Sequence, residues 1–145
     1  MKMLKKTFAM GLTGAMAAGI AFAAFAHGNA QTEISTARAH AMMAQSANTV
    51  AMAHTHLHHV INCLVGPGGQ GFDATAGTPC KGQGNGAIPD SAGNSALHGK
   101  LQGALADAQA GLEANSLASV HSQAGKVAAA LQATPAQPSS AGNSW

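Results

Sequence analysis

The chain has 145 residues and a formal net charge of only +2, with eight histidines, seven Lys and Arg residues and five Asp and Glu residues. A chain of this length is expected to form one small domain. Aromatic residues make up 3% of it and tyrosine is absent, so the sequence provides neither the basic stripe nor the aromatic platform of a nucleic-acid-binding protein.

The first 26 residues have the pattern of a secretory signal peptide. Three lysines precede the uncharged segment 7–25, which leads into a small-x-small pattern that ends at Ala26. We expect cleavage after Ala26, with a second candidate position after Ala30, and hence a periplasmic or secreted protein. The alternative is an uncleaved membrane anchor, because the segment is nearly long enough to span a bilayer.

Removal of this segment changes the sign of the net charge. It leaves four cationic side chains and five carboxylates, namely Arg38, Lys81, Lys100 and Lys126 with Glu33, Asp73, Asp90, Asp107 and Glu113. The mature chain is therefore slightly acidic when its histidines are neutral. We expect it neither to bind nucleic acid nor to be embedded in a membrane.

Cys63 and Cys80 are the only cysteines in the chain. Because exported proteins fold in an oxidising compartment, we expect them to form a disulfide. Loop closure by this bond would stabilise the fold by roughly 3 kcal/mol. A pair of metal thiolates is the alternative, but the two residues lack the close Cys-x-x-Cys spacing of such sites.

The segment from Glu33 to Val65 contains no Gly or Pro, which predicts a helix with Thr32 or Ser35 as its N-cap. One core-facing stripe is expected along it, at Thr36, His40, Met43, Ala47, Val50, His54, Leu57, Ile61 and Leu64. The polar stretch 45–49 is compatible with a continuous helix or with a turn between two shorter helices. The glycines that follow Val65 end the helix.

A Gly-rich loop is expected at 66–93, followed by two helices. Their apolar stripes are Leu97, Leu101, Ala104, Ala108 and Leu112, then Leu117, Val120, Ala124, Val127 and Leu131. The predicted fold class is all-α, an antiparallel helical bundle of three or four helices at 27–133 with a long disulfide-tethered Gly-rich loop between two hairpins. Residues 134–145 are rich in Pro, Ser, Gly and Asn and are expected to form a disordered tail.

The sequence AHTHLHHVINC holds four of the eight histidines. On a helix, His54 and His58 lie one turn apart on one side, and His56 and His59 lie on another side. His40 points in nearly the same direction as His54 but lies far from it along a straight helix. A turn in the polar stretch would instead fold His40 back, so that His40, His54 and His58 converge.

Two imidazoles one helical turn apart have the spacing at which both can bind one divalent transition metal ion. We expect His54 and His58 to be the principal ligands, because they border the apolar stripe, where packing restricts side-chain motion. His56 and His59 are expected to be secondary ligands because they point away from it. A further ligand would come from one of three other histidines: His40, His98 and His121.

Copper is the favoured metal, with nickel or zinc as alternatives, because imidazoles suit all three and the Irving–Williams order places copper first. The sequence has no Glu-x-x-His element for a di-iron site. Met42, Met43 and Met52 could supply sulfur to Cu(I), although Met is also common in hydrophobic cores. Because the ligands must be neutral, binding should weaken as the pH falls through about 6.5.

These features resemble the small metal-binding protein family, histidine-rich periplasmic four-helix bundles that bind several divalent metals such as copper. The resemblance covers residues 33–65 and 94–132 and rests on an exported, Ala-rich, Tyr-free composition and on helical hairpins that carry histidine. The chain departs from the family by concentrating its histidines at 54–59 and by carrying the cysteine loop. The first departure argues against a high metal capacity, and the second indicates a role for the loop that the family does not supply.

The sequence therefore predicts an exported protein that binds a transition metal for sequestration or delivery. We do not expect an enzyme, because the chain has no Gly-x-Ser-x-Gly elbow and its acidic residues are few and scattered. The alternatives are a redox role through copper, noncovalent haem binding and a partner-binding module with a pH-sensitive histidine face. A helix whose polar face simply uses histidine would have none of these functions.

Overall fold

The computed structural model describes residues 28–132. This part of the chain contains five α-helices and no β-strand. The helices are α1 (Ala30–Gln45), α2 (Val50–Val65), α3 (Ala87–Asp90), α4 (Ser95–Glu113) and α5 (Leu117–Gln132). The all-α prediction is confirmed for this part of the chain. Within it, no helix combines the length and apolar composition needed to cross a membrane. The predicted signal peptide at 1–26 and the predicted tail at 134–145 lie outside the described residues.

The polar stretch 46–49 is a turn that divides the predicted long helix in two. The Ser46 hydroxyl donates to the Met42 carbonyl at 3.1 Å, and Thr49 Oγ1 accepts a hydrogen bond from the Met52 amide at 3.1 Å. Ser and Thr hydroxyls replace main-chain hydrogen bonds at helix ends. These two side chains therefore end α1 and begin α2.

Helix α1 begins earlier than predicted, with Asn29 as its N-cap. Asn29 Oδ1 accepts hydrogen bonds from the amides of Gln31 and Thr32, so the prediction of Thr32 or Ser35 as the N-cap was wrong. One Asn side chain can satisfy amides of the first turn that have no partner within the helix. The Asn29 amide also donates to the Gln83 carbonyl, which ties the start of α1 to the segment before α3.

The buried face of α1 consists mainly of small residues and differs from the predicted stripe. Its buried apolar residues are Ala30, Ile34, Ala37, Ala41 and Ala44. The predicted positions Thr36, His40 and Met43 are out of phase with this face: the first two are half-buried, and Met43 is 46% exposed. The turn at 46–49 explains the error, because it uncouples the rotational phase of α1 from that of α2.

The four long helices share one hydrophobic core. Helix α1 packs along α2, and α4 packs along α5, while α1 also contacts α5 and α2 contacts α4. Gly111 lets α4 approach α2 closely, because a Cβ at this position would lie 2.6 Å from Leu57 Cδ1. The stripes predicted for α4 and α5 face this core, with only Leu112 and Leu117 half-buried.

The chain that follows α2 is attached to α2 by a disulfide and by an amide side chain. The predicted disulfide between Cys63 and Cys80 is present. The neighbouring Asn62 is 3% exposed; its Nδ2 donates to the carbonyls of Asp73 and Gly77 at 2.7 and 2.6 Å, and its Oδ1 accepts from the Asp73 amide at 2.8 Å. The loop expected at 66–93 is interrupted by α3, which the sequence pattern did not indicate.

Glu33 of α1 is buried beneath the segment that leads into α3. Its side chain is 1% exposed, and its Oε1 accepts from the Gly86 amide at 2.8 Å. Burial raises the pKa of Glu33 to about 7; the Gly86 hydrogen bond opposes this shift, and the nearby Asp90 carboxylate adds to it. The carboxyl group therefore packs as a neutral group below neutral pH.

Candidate metal centre

Three histidines come together between α1 and α2. His56 and His59 lie on the same face of α2, because residues three positions apart are neighbours on a helix surface. The turn at 46–49 folds α1 back so that His40 lies opposite them, with ring centroids 5.5 Å from His56 and 4.7 Å from His59. All three residues are half-buried. We refer to His40, His56 and His59 as the three-imidazole cluster.

The rings of the cluster present the same nitrogen to one another. His40 Nδ1 lies 3.3 Å from His56 Nδ1 and 3.3 Å from His59 Nδ1. One nitrogen from each ring lies within 4.8 Å of the other two. Across residues 28–132, this is the one group of three or more His, Cys, Asp or Glu side chains whose ligand atoms converge in this way.

The main chain sets the tautomer of His59. Its Nε2 lies 2.6 Å from the carbonyl oxygen of Ala76, and because a carbonyl only accepts, Nε2 carries the proton. Nδ1 of neutral His59 is therefore unprotonated and directs a lone pair toward His40. Metal-binding histidines commonly donate their other ring nitrogen to a carbonyl in this manner, which holds the ring in the orientation for binding.

Burial favours the neutral form of two imidazoles of the cluster. The pKa of His40 is lowered first by burial and then by the charges that His59 and His56 would carry when protonated. The pKa of His56 is lowered by burial and by His59. A metal binds only the unprotonated nitrogen, so both residues remain available for coordination at a lower pH than exposed histidines.

The disulfide-linked segment positions His59. Gly77 has a φ of 98°, a conformation that favours glycine, and a Cβ there would lie 3.3 Å from His59 Nε2. The Asn62 side chain donates a hydrogen bond to the Gly77 carbonyl, and His59 donates one to the adjacent Ala76 carbonyl. The sequence did not indicate the roles of Asn62 and Ala76. The one local signal was that Asn62 follows His59 by three positions and so shares its helix face.

Two other histidines connect helices to turns. His54 Nε2 donates to the Ala114 carbonyl at 3.1 Å, which links α2 to the turn after α4. His121 Nε2 donates to the Ala47 carbonyl at 2.9 Å, which links α5 to the turn between α1 and α2. Each of these rings therefore satisfies a carbonyl that lies beyond a helix end.

His98 and His58 also lie against groups other than imidazoles. His98 Nδ1 donates to the Ile88 carbonyl at 3.2 Å and thereby links α4 to α3. His58 Nδ1 lies 3.7 Å from Asp73 Oδ2, and the two side chains are 35% and 34% exposed. Neither histidine belongs to the three-imidazole cluster.

The structure corrects the geometry expected for the histidines. The expected principal ligands, His54 and His58, lie outside the cluster, whereas the pair expected to point away lies in it together with His40. The apolar stripe of α2 faces α4, as the close approach of Leu57 to Gly111 indicates, while α1 covers a neighbouring face of α2. The pair on that neighbouring face is therefore the one that meets α1.

Comparisons of the chain with protein-family models, with curated proteins and with solved structures found no match. The resemblance to the small metal-binding protein family therefore stays a prediction from composition and hairpin order. Function is inferred from the geometry of the three-imidazole cluster instead.

Proposed function

We propose that the protein binds one divalent transition metal ion through the three-imidazole cluster and sequesters or delivers this metal outside the cytoplasm. Copper is the favoured ion, with nickel or zinc as alternatives, because imidazoles suit all three and copper stands highest in the Irving–Williams order. In this proposal the four long helices form an antiparallel bundle, and the disulfide-tethered loop orients one ligand, His59.

The observation that carries the proposal is the meeting of three Nδ1 atoms, which no set of neutral tautomers satisfies. His59 Nδ1 can only accept, because its Nε2 donates to Ala76. A proton on His40 Nδ1 can be donated to His59 or to His56, which leaves the other contact without a hydrogen bond. Without that proton, the lone pair of His40 faces the lone pair of His59. A metal ion accepts all three lone pairs at once.

The distances also fit a metal ion. In a tetrahedral complex with metal–nitrogen bonds of about 2.0–2.1 Å, two ligand nitrogens are separated by about 3.3–3.4 Å. His40 Nδ1 has this separation, 3.3 Å, from both of its neighbours. Three protein ligands leave the fourth tetrahedral position for water or an exchangeable ligand, which suits a protein that later releases its metal.

The donor set favours a transition metal ion over other occupants. The cluster contains no carboxylate, the main protein ligand of Ca²⁺ and Mg²⁺. Haem held between two histidines requires their ligating nitrogens to lie on opposite faces of the porphyrin, whereas the nitrogens here converge, with His40 Nδ1 3.3 Å from both of its neighbours. A pH-sensitive docking surface would make no use of three convergent lone pairs.

The test is calorimetric titration of tag-free protein with Cu²⁺, Ni²⁺ and Zn²⁺, applied to two double variants. His56→Ala plus His59→Ala removes two ligands, and we expect the affinity to fall more than about hundredfold, beyond the usual loss from changing an outer partner of a ligand. His54→Ala plus His58→Ala removes the pair outside the cluster, and the affinity should not change.

Circular dichroism shows whether each variant is folded, and native mass spectrometry counts the ions, with one expected per chain. Equal losses of affinity in the two folded variants would contradict the ligand assignment. If the unaltered protein binds none of the three metals, the proposed function is rejected.

A further inference from the structure

The face of α1 that carries His40 is closed at one end and open at the other. Glu33, Thr36, His40 and Met43 follow one another at steps of three or four residues and so lie along one face. Glu33 is 1% exposed, Thr36 and His40 are half-buried, and Met43 is 46% exposed. The cluster is thus covered on one side and reaches solvent on the side nearest the turn at 46–49.

The open side carries a methionine on each helix. Met43 follows His40 by about one helical turn on α1, and Met52, which is 49% exposed, precedes His56 by about one turn on α2. Because α1 leads into the turn at 46–49 and α2 leads out of it, both methionines lie between the imidazoles and that turn. The register of these two packed helices therefore places both thioethers on the side of the cluster that is nearest the turn.

The exposure of these side chains is unusual within this protein. Among the described residues, the exposed large hydrophobic side chains are Met42, Met43 and Met52, whereas every Leu, Ile and Val is buried or half-buried. A methionine thioether is a soft ligand that selects monovalent copper, while imidazole suits divalent copper, nickel and zinc. The open end of the cluster thus combines both kinds of donor that copper uses in its two oxidation states.

We propose that Met43 and Met52 form a copper(I)-binding site at the open end of the three-imidazole cluster. The inference rests on the proposed function, because it identifies copper, rather than nickel or zinc, as the cargo of the same surface. The thioethers bind the monovalent ion and the imidazoles bind the divalent ion; binding alone is proposed, without electron transfer. Met42 lies two positions from His40, on a different face of α1, and serves as the control.

The test compares Met43→Leu plus Met52→Leu with Met42→Leu. Leucine keeps the approximate volume and the apolar character of methionine but has no sulfur. Copper(I) affinity is measured without oxygen, in ascorbate, by competition with a chromogenic copper(I) chelator, and Zn²⁺ affinity is measured by calorimetry. Thiol labelling shows that the Cys63–Cys80 disulfide stays intact, so that no thiolate competes for copper.

We expect the double methionine variant to lose at least about tenfold in copper(I) affinity and to keep its Zn²⁺ affinity, and Met42→Leu to change neither. X-ray absorption should show sulfur next to copper(I) in the unaltered protein and not in the double variant. Unchanged copper(I) affinity in that variant overturns the thioether site, even when Zn²⁺ binding supports the imidazoles. If Zn²⁺ does not bind but copper(I) affinity still depends on both methionines, the imidazole site alone is rejected.

Discussion

The two pairs of long helices differ in whether their histidines face one another. Between α1 and α2, three imidazoles face one another, whereas on α4 and α5 His98 and His121 each lie against a main-chain carbonyl. A carbonyl accepts the hydrogen bond that the ring N–H donates, so each imidazole–carbonyl pair is satisfied and adds to stability. Imidazoles that face one another compete for protons and are satisfied together only by a cation. A candidate ligand is thus marked by a ring nitrogen that faces other imidazoles, more than by its place in a His-rich sequence. His59 has such a nitrogen although its other nitrogen donates to Ala76, whereas His54 of the same helix lies only against the Ala114 carbonyl.

The largest expected effect is a loss of metal affinity when a histidine of the three-imidazole cluster is replaced, compared with a histidine that lies against a carbonyl. His40→Ala removes the ligand proposed on α1, and we expect metal affinity to fall more than about hundredfold. His121→Ala removes one hydrogen bond to Ala47, which should lower the free energy of unfolding by about 1 kcal/mol and leave metal affinity unchanged. Metal titrations and denaturant unfolding measure the two quantities. A similar loss of affinity in both variants would break the comparison.

The second effect is the pH dependence of metal binding. The pKa values of His40 and His56 lie below 6.5, mainly because of burial, so the neutral binding form persists as the pH falls through that value. Below the lowered pKa values, each competing proton reduces the apparent affinity about tenfold per pH unit, and two protons reduce it about hundredfold. Metal titrations at a series of pH values show where the apparent affinity begins to fall. A loss already complete at the pKa of an exposed histidine would contradict the role of burial.

A smaller effect is expected from the segment that orients His59. Asn62→Ala removes three hydrogen bonds to the segment that contains Ala76, and we expect metal affinity to fall about tenfold, as for other changes to the outer partners of a ligand. Asn94→Ala, at the N-cap of α4, is the matched control and should lower stability only. Calorimetry on both variants tests this. Equal metal affinities in the two would show that the segment does not position the ligand.

The smallest expected effect is a pH-dependent change in stability from Glu33, a residue of α1 that takes no part in the proposed metal site. Because the pKa of Glu33 is raised from 4.5 to about 7 in the folded protein, the folded chain keeps a proton that the unfolded chain releases between these values. The free energy of unfolding therefore decreases as the pH rises through this window. Glu33→Gln stays neutral, so above the window we expect a gain of about 1 kcal/mol or more, which disappears at acidic pH.

Denaturant unfolding of the Glu33→Gln protein at acidic and alkaline pH measures this gain. Its metal affinity should equal that of the unaltered protein, because Glu33 lies at the closed end of the α1 face, away from the three-imidazole cluster. A stability difference that does not vary with pH would show that the ionisation of Glu33 is not its cause.

The sequence by itself determined α4, α5 and the disulfide, because these depend on local chemistry or on the absence of alternatives. The spacing of apolar residues predicted the buried faces of α4 and α5. Asn94, which precedes the first of these stripes, caps α4 by accepting from the Leu97 amide. Cys63 and Cys80 had no other cysteine with which to pair. The polar stretch at 46–49 showed where the first helix could break without determining whether it does.

Only the tertiary structure decided which histidines meet. Helical spacing correctly placed His54 and His56 on different faces of α2, but it does not say which neighbouring helix covers each face. That choice depends on Leu57 packing against α4 and on the small residues of α1, which let α1 lie close to α2. The free energy that selects this arrangement comes from burying the shared core of all four long helices, so it cannot be deduced from the faces of one helix.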